Sequence, residues 1–127
     1  MAADDPIRVM VVDDQSDTRF LIGVILGDHP DLPVVAEAAT AAEALERFDE
    51  AAPDVTVVDA RMPVTDGFEL ARELLARRPD LPIVLLTSLV DEVVEEQARD
   101  AGIRAVASKG DFDALPDLVR RLGAAQR

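Results

Sequence analysis

The chain has 127 residues, 26 acidic against 13 basic side chains for a net charge of −13, 49% hydrophobic residues and no cysteine. That length suits one domain with its own core, the missing thiols exclude disulfides and thiolate metal sites, and the negative field opposes direct nucleic-acid or anionic-lipid binding. Aromatics at 3%, with no Trp or Tyr, leave no stacking platform; no apolar run is long enough to span a membrane, and the acidic start Met1 to Asp5 lacks the basic region of a signal peptide, so the expected location is cytoplasmic.

In chain order, short apolar runs alternate with amphipathic stretches. The runs at Ile7 to Val12, Val34 to Ala38, Val55 to Val58, Ile83 to Leu86 and Arg104 to Ala107 predict five strands, unbroken enough to be covered on both faces. Between them, helical spacing predicts core faces built from Phe20, Leu21, Val24 and Ile25, then Ala41, Ala44, Leu45 and Phe48. Phe68, Ala71, Leu74 and Leu75 follow, then Val90, Val93, Val94 and Ala98, and last Phe112, Leu115, Leu118, Val119 and Leu122. Thr40 with Glu43, and Asp66 with Glu69, have capping-box spacing. Pro33, Pro53 and Pro82 sit just before strands, where they cost no central ladder bond.

The expected fold is therefore α/β: (βα)5, one doubly wound five-stranded parallel sheet joined by right-handed crossovers. A single domain over residues 1–127 is expected, with its core at about 7–122 and residues 123–127 a tail or the start of a linker. No glycine-rich loop follows any strand, which disfavours a dinucleotide or P-loop site.

In such a sheet, function gathers at the carboxyl ends of the strands. Those ends carry Asp13 and Asp14, then Asp59 followed by Ala60-Arg61-Met62-Pro63, then Thr87 and Ser88, then Lys109. Each alone reads equally as turn, cap or surface chemistry, and the lone His29 reads as a solvated loop residue. Together they make a set. Three carboxylates in one place raise one another's pKa unless a cation intervenes. Mg²⁺ suits one or two carboxylates while keeping waters and room for a phosphate oxygen. Lys109 and Thr87 add a compact charge and a neutral donor, so the set could hold a phosphoryl group with a carboxylate as acceptor.

The ordered motifs VVDD, VVDARMPVTDGFE, VLLTS and the lysine after the fifth strand resemble the receiver domain of bacterial two-component response regulators. The stretch around Asp59 and the phrase AGIRAVASKGD are most similar to receivers that precede helix-turn-helix output domains. The resemblance spans about residues 7–122 and implies the flavodoxin-like strand order 2-1-3-4-5. It implies Asp59 as phosphoacceptor, with Mg²⁺ held by Asp14 directly, by Asp13 mainly through water, by Asp59, and by the backbone carbonyl of Arg61. Thr87 and Lys109 would contact the phosphoryl group. A histidine kinase is the implied donor, and an output domain, a downstream protein or a second copy of the chain the implied partner. The implied role is that of a phosphoacceptor regulator, not an enzyme.

Two positions depart from the family pattern. Val106 stands where the family usually has Tyr or Phe, and Gly110 where proline often follows the lysine. The alternative reading is thus an interaction module that signals without phosphorylation. A phosphatase with an aspartyl nucleophile would want an acid where Arg61 stands, and flavin binding is opposed by Asp13, Asp14 and Asp17. Leu89, two residues beyond Thr87, is expected to slow loss of the phosphoryl group by offering no polar hold on attacking water.

Overall fold

The computed structural model describes residues 5–125; residues 1–4 and 126–127, which include most of the acidic start and the end of the tail, lie outside the described residues. Five strands, β1 Val9–Val12, β2 Val34–Ala38, β3 Val55–Asp59, β4 Ile83–Thr87 and β5 Ala105–Ser108, form one parallel sheet of order 2-1-3-4-5. They alternate with α1 Ser16–Gly27, α2 Ala41–Ala51, α3 Gly67–Arg77, α4 Glu92–Asp100 and α5 Leu115–Ala125, the last entered through a 3₁₀ turn at Phe112–Ala114. The architecture is the flavodoxin-like (βα)5 fold expected.

The two-residue period of the strands divides the core into two layers. Met10, Val12, Val58 and Leu85 face Phe48, Leu70, Leu74 and Ala98 beneath α2, α3 and α4. Val9, Val11, Val57 and Leu86 face Ile22, Leu26, Leu115 and Val119 beneath α1 and α5. Strands β1, β3 and β4 are buried along their whole length, as continuous apolar runs require.

The caps follow the sequence signals. Thr40 Oγ1 accepts from Glu43 N at 3.1 Å, and Glu43 Oε1 accepts from Ala39 N at 2.7 Å, closing the start of α2. Asp66 Oδ1 accepts from Glu69 N at 2.9 Å to start α3. Asp91 caps α4 by accepting from Val94 N at 2.8 Å.

Two helix faces differ from expectation. In α1 the buried residues are Ile22 and Leu26, whereas Phe20, Leu21 and Val24 are exposed. The segment is apolar on most sides, so periodicity does not select a face; packing against Leu115 and Val119 does. In the fourth helical region Val90 precedes the helix, Val93 is exposed, and only Ala98 is buried within α4. His29 is not a solvated loop residue either. It is half-buried with Nδ1 3.0 Å from Arg120 Nη2. Arg120 also grips Asp31 through Nε at 2.7 Å and Nη2 at 3.1 Å, tying the α1–β2 loop to α5.

Gly67 joins the fold to the strand end that carries Asp59. Its N–H donates to Ala60 O at 3.0 Å, and a Cβ there would lie 2.2 Å from the Asp59 carbonyl oxygen and 3.0 Å from Ala60 Cα. Both obstacles are backbone, so the helix would have to move. We expect Gly67→Ala to cost about 1–3 kcal/mol, seen as a lower thermal midpoint. Gly23→Ala in α1, where nothing lies within 4 Å of the added carbon, should be neutral or stabilising by up to ~1 kcal/mol. Equal midpoints for the two variants would refute this account of Gly67.

Candidate functional site

The carboxyl ends of β1, β3, β4 and β5 converge as the alternation of strands and helices predicts. They line a cleft of about 300 Å³ with Asp14, Gln15, Asp59, Ala60, Arg61, Thr87, Ser88 and Lys109. Asp13 lies beneath it, fully buried, and Asp59 is 3% exposed, while Asp14 opens to solvent. The cleft therefore has a buried acidic floor and one acid at its mouth.

Among the described residues, Asp13, Asp14 and Asp59 each offer a carboxylate oxygen, all within 4.8 Å of one another. Lys109 Nζ lies 3.1 Å from Asp59 Oδ1 and 3.3 Å from Asp13 Oδ2. One ammonium thus serves two buried carboxylates. Asp13 Oδ1 accepts from Gln15 N at 2.9 Å, but Asp13 Oδ2, although near Lys109, is in hydrogen-bonding geometry with nothing. Arg61 N donates to Asp59 Oδ1 at 3.3 Å, and the Arg61 side chain is exposed.

The electrostatics follow from this count. Burial first, and then the charge of Asp13, push the Asp59 carboxyl up to about 6, against the pull of Lys109 and the Arg61 N–H. For Lys109, burial works against the ammonium, but the hydrogen bond and charge of Asp59, with Asp13 beside it, outweigh burial and hold it above the ordinary lysine value. The floor keeps more negative charge than its one cation offsets. A buried carboxylate oxygen without a hydrogen bond, inside a set of hard oxygen donors, suits a hard divalent cation such as Mg²⁺.

Thr87 is 7% exposed at the end of β4. Its hydroxyl donates to Leu89 O at 3.2 Å and accepts from Leu89 N at 3.3 Å. The main chain of the β4–α4 turn thus holds a hydroxyl that lines the cleft. The residues selected from the sequence, Asp13, Asp14, Asp59, Arg61, Thr87 and Lys109, all meet here. Sequence reasoning missed Gln15, whose N–H fixes Asp13, and Arg19, whose Nη1 donates to Asp13 O at 2.6 Å. Backbone donors carry no residue-type signal, and an arginine just after Ser16, Asp17 and Thr18 at a helix start reads as surface.

The sequence pattern that defines the response regulator receiver domain matches residues 9–120. The DNA-binding transcriptional activator DevR/DosR of Mycobacterium tuberculosis is 44% identical over 86 residues, 68% of this chain and 40% of that protein. A LuxR-family two-component response regulator from Aurantimonas sp. SI85-9A1 superposes with a TM-score of 0.90 at 28% identity, over 97% of this chain and 89% of that one. The response regulator domain of CheB from Thermotoga maritima gives a TM-score of 0.82 at 29% identity, over 94% of this chain and 96% of that one. The chain spans less than half the length of the curated relatives it matches.

The raised Asp59 value has a signed consequence. In metal-free protein the folded state binds the Asp59 proton more tightly than the unfolded state does, with values of about 6 and 3.8. Its contribution to stability is therefore greatest below the unfolded value and declines as pH rises through that window. With a chelator at pH 7.5, Asp59→Asn should raise the thermal midpoint by about 4 °C or more, the shift ~1 kcal/mol produces in a domain of this size. The gain should shrink at pH 5. A variant melting below wild type at pH 7.5 would contradict the charge imbalance.

Proposed function

The chain belongs to the response regulator receiver domain family, and from that membership we propose that it is a phosphoacceptor switch: Asp59 takes a phosphoryl group from a histidine kinase in a Mg²⁺-dependent reaction, and the added charge is passed to an output domain or partner. The observation that carries this reading is the grouping of Asp59 with Asp13 and Asp14 under a single lysine at the strand ends.

The residue roles are those the family resemblance implies. Asp14 at the cleft mouth, Asp13 through water, Asp59 and the Arg61 carbonyl would hold Mg²⁺, which when bound offsets the charge of the carboxylates and of the incoming phosphoryl oxygens. An Asp59 oxygen attacks phosphorus as the bond from phosphorus to the donor imidazole nitrogen breaks, that nitrogen keeping the electron pair. With a value of about 6, Asp59 is ionised near neutral pH and available as nucleophile. Lys109, already 3.1 Å from the acceptor carboxylate, follows the charge outward onto a phosphoryl oxygen. Thr87 can donate to another only by giving up its bond to Leu89 O. That exchange links phosphorylation to the β4–α4 turn, where Leu89 and Val90 are exposed.

The readout face is then α4, β5 and α5, where Val94, Val106 and Leu118 are half-buried. Val106 has no ring to swing between exposed and buried positions, so the signal would travel through the β4–α4 main chain. Its aliphatic side chain is also what favours the second reading, an interaction module that signals without phosphorylation. DevR/DosR is a DNA-binding transcriptional activator; by that likeness we assign this domain, with its core at about residues 7–122, to controlling a helix-turn-helix output, in the cytoplasm, with a homodimer as one form of the active state. DNA contact would belong to the output, not to this acidic domain.

Incubation with Mg²⁺ and acetyl phosphate, followed by intact mass measurement, should give one phosphoryl adduct on wild type and none on Asp59→Asn. No adduct on wild type, together with no Mg²⁺-dependent binding of beryllofluoride, would sink the phosphoacceptor reading. Leu89 is 63% exposed beside Thr87 and offers attacking water no polar hold. Leu89→Glu or Leu89→Asn should speed decay of the phosphorylated protein by roughly 3-fold or more, on the scale of a positioned polar or general-base group; an unchanged decay rate would remove Leu89 from the account.

A further inference from the structure

Helix α1 turns one arginine inward. Arg19 shares a face with Ile22 and Leu26, both fully buried, and only 20% of its side chain is exposed. Its Nη1 donates to the main-chain carbonyl of Asp13 at 2.6 Å, while its Nε lies 3.5 Å from Glu37 Oε1 on β2. Glu37 is itself braced, because Arg47 of α2 donates to its carbonyl. On its other side Asp13 is tied by its N–H to Ala38 O at 3.0 Å. The residue is thus held at its N–H by β2, at its carbonyl by α1, and at Oδ1 by Gln15 N.

Asp14 has no such support. Its side chain is exposed, and among the described residues none hydrogen-bonds to it. Where its carboxylate points depends on the Asp13–Asp14 peptide, which is planar and rigid. The side chain that fixes that plane is Arg19. A lysine would keep one donor for the carbonyl but lacks the fork that reaches Glu37 as well.

We propose that Arg19 is a positioning residue for the cation end of the site: by bracing the Asp13 carbonyl against α1 and Glu37, it aims the Asp14 carboxylate and keeps Asp13 Oδ2 turned to the cleft. This inference rests on the reading that Asp13, Asp14 and Asp59 hold Mg²⁺. Removing Arg19 has two effects of opposite sign. As a cation hydrogen-bonded to the Asp13 carbonyl, Arg19 repels Mg²⁺, so Coulomb's law alone makes its loss tighten binding. As the brace of the two ligands, its loss loosens binding, and outer partners of this kind are worth about 10–100-fold in metal affinity. The sign of the change separates the two.

The test is calorimetric titration of the full chain with MgCl₂ at 25 °C, for wild type, Arg19→Met and Arg19→Lys, with thermal melts in chelator. Methionine keeps the apolar stem and its packing but donates nothing. Arg19→Met should weaken Mg²⁺ about 10-fold or more while remaining folded at the titration temperature. Arg19→Lys, which keeps one donor for the carbonyl, should recover to within about 3-fold of wild type. Equal or tighter binding by Arg19→Met overturns the inference. So does an Arg19→Met protein that is unfolded in chelator at 25 °C, which would make Arg19 a strut of the fold. Absence of Mg²⁺ binding by wild type would instead overturn the reading of the site itself.

Discussion

The repulsion between Asp13 and Asp59 organises this molecule. Both carboxylates are buried at adjacent strand ends, and the ammonium of Lys109 lies 3.1 Å from one and 3.3 Å from the other. With Asp14 at the mouth, three negative charges face one positive charge. In a partly desolvated site such an excess is relieved by a proton or by a cation. The raised Asp59 value is the proton's side of that choice; the hard oxygen set is the cation's side. A group poised between the two is well suited to respond to the arrival of a further charged group.

The rest of the fold can be read as what holds this imbalance in place. Parallel strands with crossover helices bring four strand ends to one edge without any long-range specificity in their sequences. Gly67 lets α3 press against the carbonyl of Asp59, so the strand that carries Asp59 is backed by a helix start. Gln15 and Arg19 fix Asp13 from α1, and the main chain at Leu89 holds the hydroxyl of Thr87. At the opposite end of the sheet, Arg120 binds Asp31 and His29 and fastens α5 to the α1–β2 loop. The β4–α4 turn, with Leu89 and Val90 exposed, meets the cleft through the Thr87 hydroxyl.

Much of this was legible in the chain. The five apolar runs are the five strands to within a residue or two, and Thr40 and Asp66 cap the helices their spacing announced. The acids, Thr87 and Lys109 stood out because a charged or hydroxyl residue ending a buried run is conspicuous. What stayed hidden has physical causes. In α1 the apolar residues surround the helix, so Phe20, Leu21 and Val24 look as fit for the core as Ile22 and Leu26 do. His29 became half-buried because Arg120, 91 positions away, closes on it.

By itself the sequence determined the kind of elements, their order and which polar residues stand at the strand ends, because strand burial and the strand-end rule act through local composition and period. Tertiary structure alone decided which face of α1 is buried, that one lysine is shared by two carboxylates, and that Arg19 grips a main-chain carbonyl six residues back in the chain. The reason is the same in each case. These are choices among partners of similar local merit, and only the distances set by packing five helices on one sheet separate them.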